Sequence, residues 1–207
     1  PDLRKSAVGL LARPTSAAFM PLADSNAMAY LALALNDPGR AAAVLDDAEP
    51  LQSTSSAPTV STLATYHNLR GTALTLLGSE QDATSAFQNA FAVLDNNDAR
   101  TDSKDGLHAL DAVRVHHNLG CCQAFVAADT AAAVDTWRDG LELLRQQQPG
   151  GGITDSEDHQ SKQISEAELL CNIGQIEINA ADANVREAGI AALAHALEIL
   201  GDAYDVG

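Results

Sequence analysis

Residues 115–123 read V-H-H-N-L-G-C-C-Q and put His117 four residues ahead of Cys121. On a helix that spacing sets an imidazole and a thiol on one face, and both are ligand types that zinc takes. A structural zinc ion needs four such ligands. His67, in H-N-L-R-G, and Cys171, in C-N-I-G-Q, each stand one residue before an asparagine, as His117 does. Helices packed side by side lie about 10 Å apart, too far for all four side chains to close easily on one ion. The expectation is therefore no metal and no cofactor. The other reading is that these residues mark a helix face that recurs along the chain and meets another protein.

Charge narrows the partners. The 207 residues carry 12 basic and 28 acidic side chains, a formal net charge of −16. Phosphate backbones are bound by neutralising them with Lys and Arg, and only Lys5, Lys104 and Lys162 are lysines. Nucleic acid is excluded on that ground, and anionic membrane surfaces are poor candidates. No apolar run approaches the ~18 residues of a membrane span, and no secretory or transit signature opens the chain. The three cysteines, two of them adjacent, make no disulfide framework. They suit a reducing, cytoplasmic setting.

Catalytic constellations are missing too. Paired carboxylates work when they converge in a pocket. Here the acids collect at Asp46-Asp47-Glu49, between Asp95 and Asp105, between Asp155 and Asp158, and at Asp202 and Asp205. Those are helix ends or loops, where charge runs are solvated. Gly150 to Gly152 is followed by no Lys-Ser or Lys-Thr and preceded by no strand, so it is a linker and not a phosphate cradle. Cys121-Cys122 lacks the spacing of C-x-x-C redox motifs. The chain is expected not to be an enzyme.

The elements that would carry such a face are helices. Apolar residues make up 46% of the chain and aromatics only 4%; alanine, the best helix former, supplies much of the rest. Aligned on Asn26, Asn68, Asn118 and Asn172, the chain gives four registers spaced by 42, 50 and 54 residues. A second apolar pattern opens fifteen residues later at Ala41, Ala83 and Ala133, and seventeen later at Gly189. In it, Ala83-x3-Phe87-x2-Ala90 matches Ala133-x3-Trp137-x2-Gly140 and Gly189-x3-Leu193-x2-Ala196. At about 100° per residue these positions share one face, small residues admitting a close neighbour and the large one filling the gap. The first unit follows with Ala41, Leu45 and Ala48 before Glu49-Pro50 ends it.

Boundary residues agree. Asp37-Pro38 predicts an N-cap and first-turn proline, Ser79 and either Asp129 or Thr130 cap second helices, and Ser165-x2-Glu168 has capping-box spacing. Q-S-T-S-S-A-P-T, D-N-N-D-A-R-T-D-S-K-D-G and Q-Q-Q-P-G-G-G-I-T-D-S-E-D-H-Q-S-K-Q read as long loops between units. The repeats then span about 22–51, 61–95, 107–145 and 165–200, within a domain of 22–207. Residues 1–21 form an N-terminal cap or the remnant of a preceding repeat.

N-L-R-G-T-A-L-T-L-L-G-S-E-Q-D-A-T-S-A-F-Q-N-A-F-A-V-L resembles a tetratricopeptide repeat, and H-N-L-G-C-C-Q-A-F with A-A-V-D-T-W-R-D-G-L-E-L-L resembles the next one. The resemblance covers residues 22 to 200. The units exceed the family's usual 34 residues, and the proline that usually follows the second helix is missing from the second and fourth. It implies an all-α, right-handed α-solenoid of antiparallel helix pairs, about four repeats with long loops between them, with a concave face lined by first helices. Such arrays hold protein partners, so the implied function is a non-catalytic scaffold, a subunit of a larger intracellular assembly. Alternatives are a transient peptide receptor, and a vesicle-tethering subunit, because E-L-L-C-N-I-G-Q-I-E-I-N-A resembles the last repeat of the tetratricopeptide subunit of TRAPP complexes.

Helical spacing assigns that face. Its stripe is Leu22, Ser25, Ala29 and Leu33; Ala64, His67, Gly71 and Thr75; Arg114, His117, Cys121 and Phe125; then Glu168, Cys171, Gln175 and Asn179. The expected binding residues are His67, Thr75, Arg114, His117, Cys121, Phe125, Cys171, Gln175 and Asn179. One and eight residues after each asparagine stand Ala27/Leu69/Leu119/Ile173 and Ala34/Leu76/Val126/Ala180, predicted to pack. With Arg114 as its one charge-bearing arginine, Arg70 nearby and no lysine, the stripe lacks the carboxylate clamp by which family members hold chaperone tails. It fits an apolar or helical segment better. The last helix is left with Leu193, Leu197 and Leu200 for another subunit or segment to cover.

Overall fold

The computed structural model describes residues 21–48, 58–98, 106–146 and 156–204. Every element among them is a helix: α1 Leu22–Ala34, α2 Pro38–Ala48, α3 Val60–Leu76, α4 Glu80–Asp98, α5 Gly106–Phe125, α6 Thr130–Gln146, α7 Ser156–Glu177 and α8 Ala183–Tyr204. They pair in chain order as hairpins, and they divide between two compact units, 1–104 and 105–207. The N-terminal cap and the loop segments 49–57, 99–105 and 147–155, with Gly150 to Gly152, lie outside the described residues.

Capping chemistry explains where helices start. The Asp37 carboxylate accepts from the Arg40 N–H at 3.0 Å ahead of Pro38, and that of Asp129 from Ala132 N–H at 3.0 Å. Thr59, which the sequence reading overlooked, caps α3 through Thr62 N–H at 3.1 Å. Asp182 does the same for α8 through Asn184 N–H at 2.7 Å. The fourth unit departs from expectation: α7 starts at Ser156, so Ser165 lies in mid-helix and its capping box is unused. The stretch is polar, which made it look like loop. Its Glu, Gln and Lys residues are good helix formers, and no Gly or Pro interrupts them.

The first two hairpins turn alike. Asn36 and Gly78 take positive φ of 61° and 78°, and the N–H groups of Asp37 and Ser79 reach back to the carbonyls of Ala32 and Leu74, both at 2.9 Å. That is a left-handed helix stop with its backbone groups satisfied. The third turn is one residue longer, with Ala128 in the left-handed region at φ 56° despite its Cβ.

Each hairpin closes on a small residue facing a large one. A Cβ on Gly71 would lie 2.6 Å from the Phe87 ring, one on Gly120 2.2 Å from Trp137 Nε1, and one on Gly174 2.6 Å from Leu193 Cγ. In the first hairpin Ala29, Ala41 and Leu45 share one core cluster with no exposure. Phe87 is fully buried and Trp137 1% exposed; burying each contributes about 1.5–3 kcal/mol. Among the described residues, successive hairpins within a unit are joined by apolar contact and by an ion pair. Asp46 of α2 meets Arg70 of α3 at 3.1 Å, and Arg138 of α6 meets the buried Glu177 of α7.

Candidate functional site

The interlocks show where the asparagine frame breaks. Asn26 and Asn68 precede their buried small residues, Ala29 and Gly71, by three positions; Asn118 and Asn172 precede Gly120 and Gly174 by two. One residue turns a helix face by about 100°, so a common frame describes different faces in the two units. The extra residue in the third turn restores the pairing with the second helix. In the first unit the expected stripe is consequently part of the core, with Ser25, Ala29, Ala64 and Gly71 buried. Ala27, Ala34 and Leu76, expected to pack, are exposed. Asn26 instead donates from Nδ2 to the Thr62 carbonyl at 2.8 Å and ties α1 to α3.

The predicted residues of the first unit are His67, half-buried edge-on to the Tyr66 ring, and Thr75, whose hydroxyl donates to the Gly71 carbonyl at 2.8 Å. In the second unit the stripe gathers part of its members. His117 Nε2 and Cys121 Sγ stand 3.9 Å apart on α5, and Asn172 Nδ2 of α7 reaches the same sulfur at 4.0 Å. Glu168, also on α7, acts electrostatically on both His117 and Cys121. Trp137 fixes this point by donating from Nε1 to the His117 carbonyl at 3.0 Å. The sequence carried the Trp but gave no sign of that bond.

The other members are exposed or engaged in other contacts. Arg114 is exposed and turns back to Asp111 at 3.2 Å. Phe125, at the end of α5, is 71% exposed. Cys171 packs on the core of its unit. Gln175 and Asn179 are exposed, Asn179 Nδ2 donating to the Gln175 carbonyl at 2.9 Å.

Burial sets the electrostatics. Desolvation pushes the Cys121 thiol up to about 11, with Glu168 and Cys122 adding to the effect, so the sulfur is a neutral thiol and not a nucleophile. Burial also holds His116 and His117 below 6.5, opposed in part by Asp139 and Glu168 respectively. Among the described residues no three His, Cys, Asp or Glu side chains gather closely enough to hold a metal ion. None of the described helices is long and apolar enough to cross a membrane.

The two histidines give a pH prediction. Unfolding returns them to their ordinary value, so between that value and the lower folded one the unfolded chain binds more protons. Their contribution to stability is complete above pH 6.5 and is lost as pH falls through it. The urea midpoint is expected to drop between pH 7.5 and 5.5, and a His116→Gln/His117→Gln variant to lose much of that drop. A midpoint that rises on acidification contradicts the assignment.

No protein-family profile, curated protein or solved structure matches the chain.

Proposed function

We propose that the protein is a non-catalytic scaffold, a tetratricopeptide-type α-solenoid that organises a larger assembly by binding other proteins. The observation that carries this reading is the thrice-repeated interlock of Gly71 with Phe87, Gly120 with Trp137, and Gly174 with Leu193. A chain that rebuilds one hairpin joint with different residues conserves a shape, and stacked hairpins of this shape offer extended faces for docking. The chemistry of the His117–Cys121 group supports the same reading, since a thiol held near 11 beside a depressed imidazole does no nucleophilic work at neutral pH.

A peptide receptor is the second reading. Phe125 supports it, an exposed ring at the end of the helix that carries the His117–Cys121 group, because aromatic side chains anchor bound segments.

Isolation of the full chain from its native cell, with quantitative mass spectrometry, tests both. A scaffold subunit returns a fixed set of proteins in constant ratio, and His117→Ala and Phe125→Ala leave that set intact. A receptor loses one soluble client with either variant. A chain that always returns alone sinks both readings.

A further inference from the structure

The exposed apolar face of the last helix is narrower than expected. Leu193 seats on Gly174 and Leu200 packs on the core, which leaves Ile190 and Leu197 as its open centre. Apolar side chains alone select no partner. The face shared by α5 and α7 does, because it carries a charge.

As the first helices of consecutive hairpins, α5 and α7 run in the same direction. Glu168 of α7 acts on both His117 and Cys121 of α5, and one turn further on Asn172 Nδ2 reaches the Cys121 sulfur at 4.0 Å. Glu168 is exposed, and among the described residues no Lys or Arg forms an ion pair with it. Arg114, one turn before His117, is held by Asp111 at 3.2 Å. Burial keeps His117 below 6.5 and Cys121 near 11, so at neutral pH neither carries charge. The face thus presents one carboxylate without a counter-charge beside a neutral imidazole, thiol and amide. Phe125, 71% exposed, stands two turns along α5 from His117. Eight residues of helix put about 12 Å between those two levels.

We propose that the α5–α7 face binds a segment of another protein that brings an Arg or Lys side chain to Glu168 and a bulky apolar side chain to Phe125.

This deepens the peptide-receptor reading and rests on it. Charge decides the partner. An acidic segment would set a second carboxylate against Glu168 with no free cation to offset it. A wholly apolar one would strip water from the Glu168 carboxylate and leave it unpaired, a cost that an entering cation removes. The net charge of −16 acts in the same sense, drawing basic segments from a distance. Roughly four residues of extended chain span about 12 Å, which sets the spacing between the two anchors.

Phage-displayed random peptides of about twelve residues, panned in parallel on the full chain and on its Glu168→Gln and Phe125→Ala variants, test this. Both side chains are exposed, so the urea midpoints of the variants are expected to match the wild type. The wild type should enrich peptides that pair Arg or Lys with a bulky apolar residue. Glu168→Gln should lose the preference for the cation and Phe125→Ala that for the apolar residue. Titration of one selected peptide should show Glu168→Gln weakening it by about threefold and Phe125→Ala by about tenfold. Basic peptides that bind the wild type and Glu168→Gln alike report net charge alone and overturn the proposal. Selected peptides that share an apolar residue but no cation also overturn it, while leaving the receptor reading standing. A wild-type chain that enriches no peptide sinks both.

Discussion

Trp137→Ala is expected to destabilise the second unit by about 3–5 kcal/mol, the range for removing a large aromatic from a packed core. Trp137 is 1% exposed. Its indole lies where a Cβ on Gly120 would be, so no neighbour can move in to fill the space without α5 itself shifting. The Nε1 donor also serves the His117 carbonyl at 3.0 Å, and its loss leaves that acceptor one partner short. Trp137→Phe separates the two contributions. It keeps most of the ring volume and removes only the donor, for which about 1 kcal/mol is expected. Urea denaturation followed by far-ultraviolet circular dichroism reads both variants from the shift of the midpoint. If Trp137→Ala unfolds at the wild-type midpoint, the indole does not hold α5 to α6 and the interlock is not the joint of the fold.

This residue also illustrates what the sequence disclosed. The recurrence of Ala83-x3-Phe87, Ala133-x3-Trp137 and Gly189-x3-Leu193 was visible because a helix repeats its face every three to four residues whatever the side chains are. It located the second helices of the last three hairpins, Ala41, Leu45 and Ala48 located that of the first, and Asp37 and Asp129 located two starts. The asparagines were a weaker guide. An asparagine on a helix follows local hydrogen-bonding opportunity, as Asn26 does with the Thr62 carbonyl and Asn172 with Cys121. Nothing in its identity shows that a turn further on holds one more residue. The true marker of the first helix was the glycine or alanine under the large residue, Ala29, Gly71, Gly120 or Gly174, and only the contact across the hairpin identifies it. The stripe built on the asparagines therefore gathered His117, Cys121 and Glu168 in the second unit but ran into the core in the first. The ion pair of Arg138 with Glu177 was illegible for a related reason. It joins residues on different hairpins, 39 positions apart, and no short-range period links them.

Gly189→Ala tests a joint where backbone meets backbone and runs against the repeat pattern itself. The other three units carry alanine at this place, Ala41, Ala83 and Ala133, each fully buried, so the pattern alone recommends the exchange. Propensity recommends it as well, since alanine is favoured over glycine within a helix by about 1 kcal/mol. The geometry opposes it more strongly. A Cβ on Gly189 would lie 2.7 Å from the Ile178 amide nitrogen and 3.0 Å from the Glu177 carbonyl carbon. On the facing side, a Cβ on Gly174 would be 2.9 Å from the Gly189 carbonyl oxygen. These are backbone atoms, which no side-chain rotation can clear, so α7 and α8 would have to part where Leu193 is seated. Overpacking of this kind costs about 1–3 kcal/mol, and a rigid obstacle on both sides puts the cost near the top of that range, so the expected net loss is about 2 kcal/mol after the gain in propensity of about 1 kcal/mol. Ala133→Gly in the third unit makes the control, expected to cost about 1 kcal/mol through propensity alone plus the loss of one buried methyl group. If Gly189→Ala raises stability as the pattern suggests, α7 and α8 are farther apart than the glycine pair implies, and the fourth hairpin closes like the others.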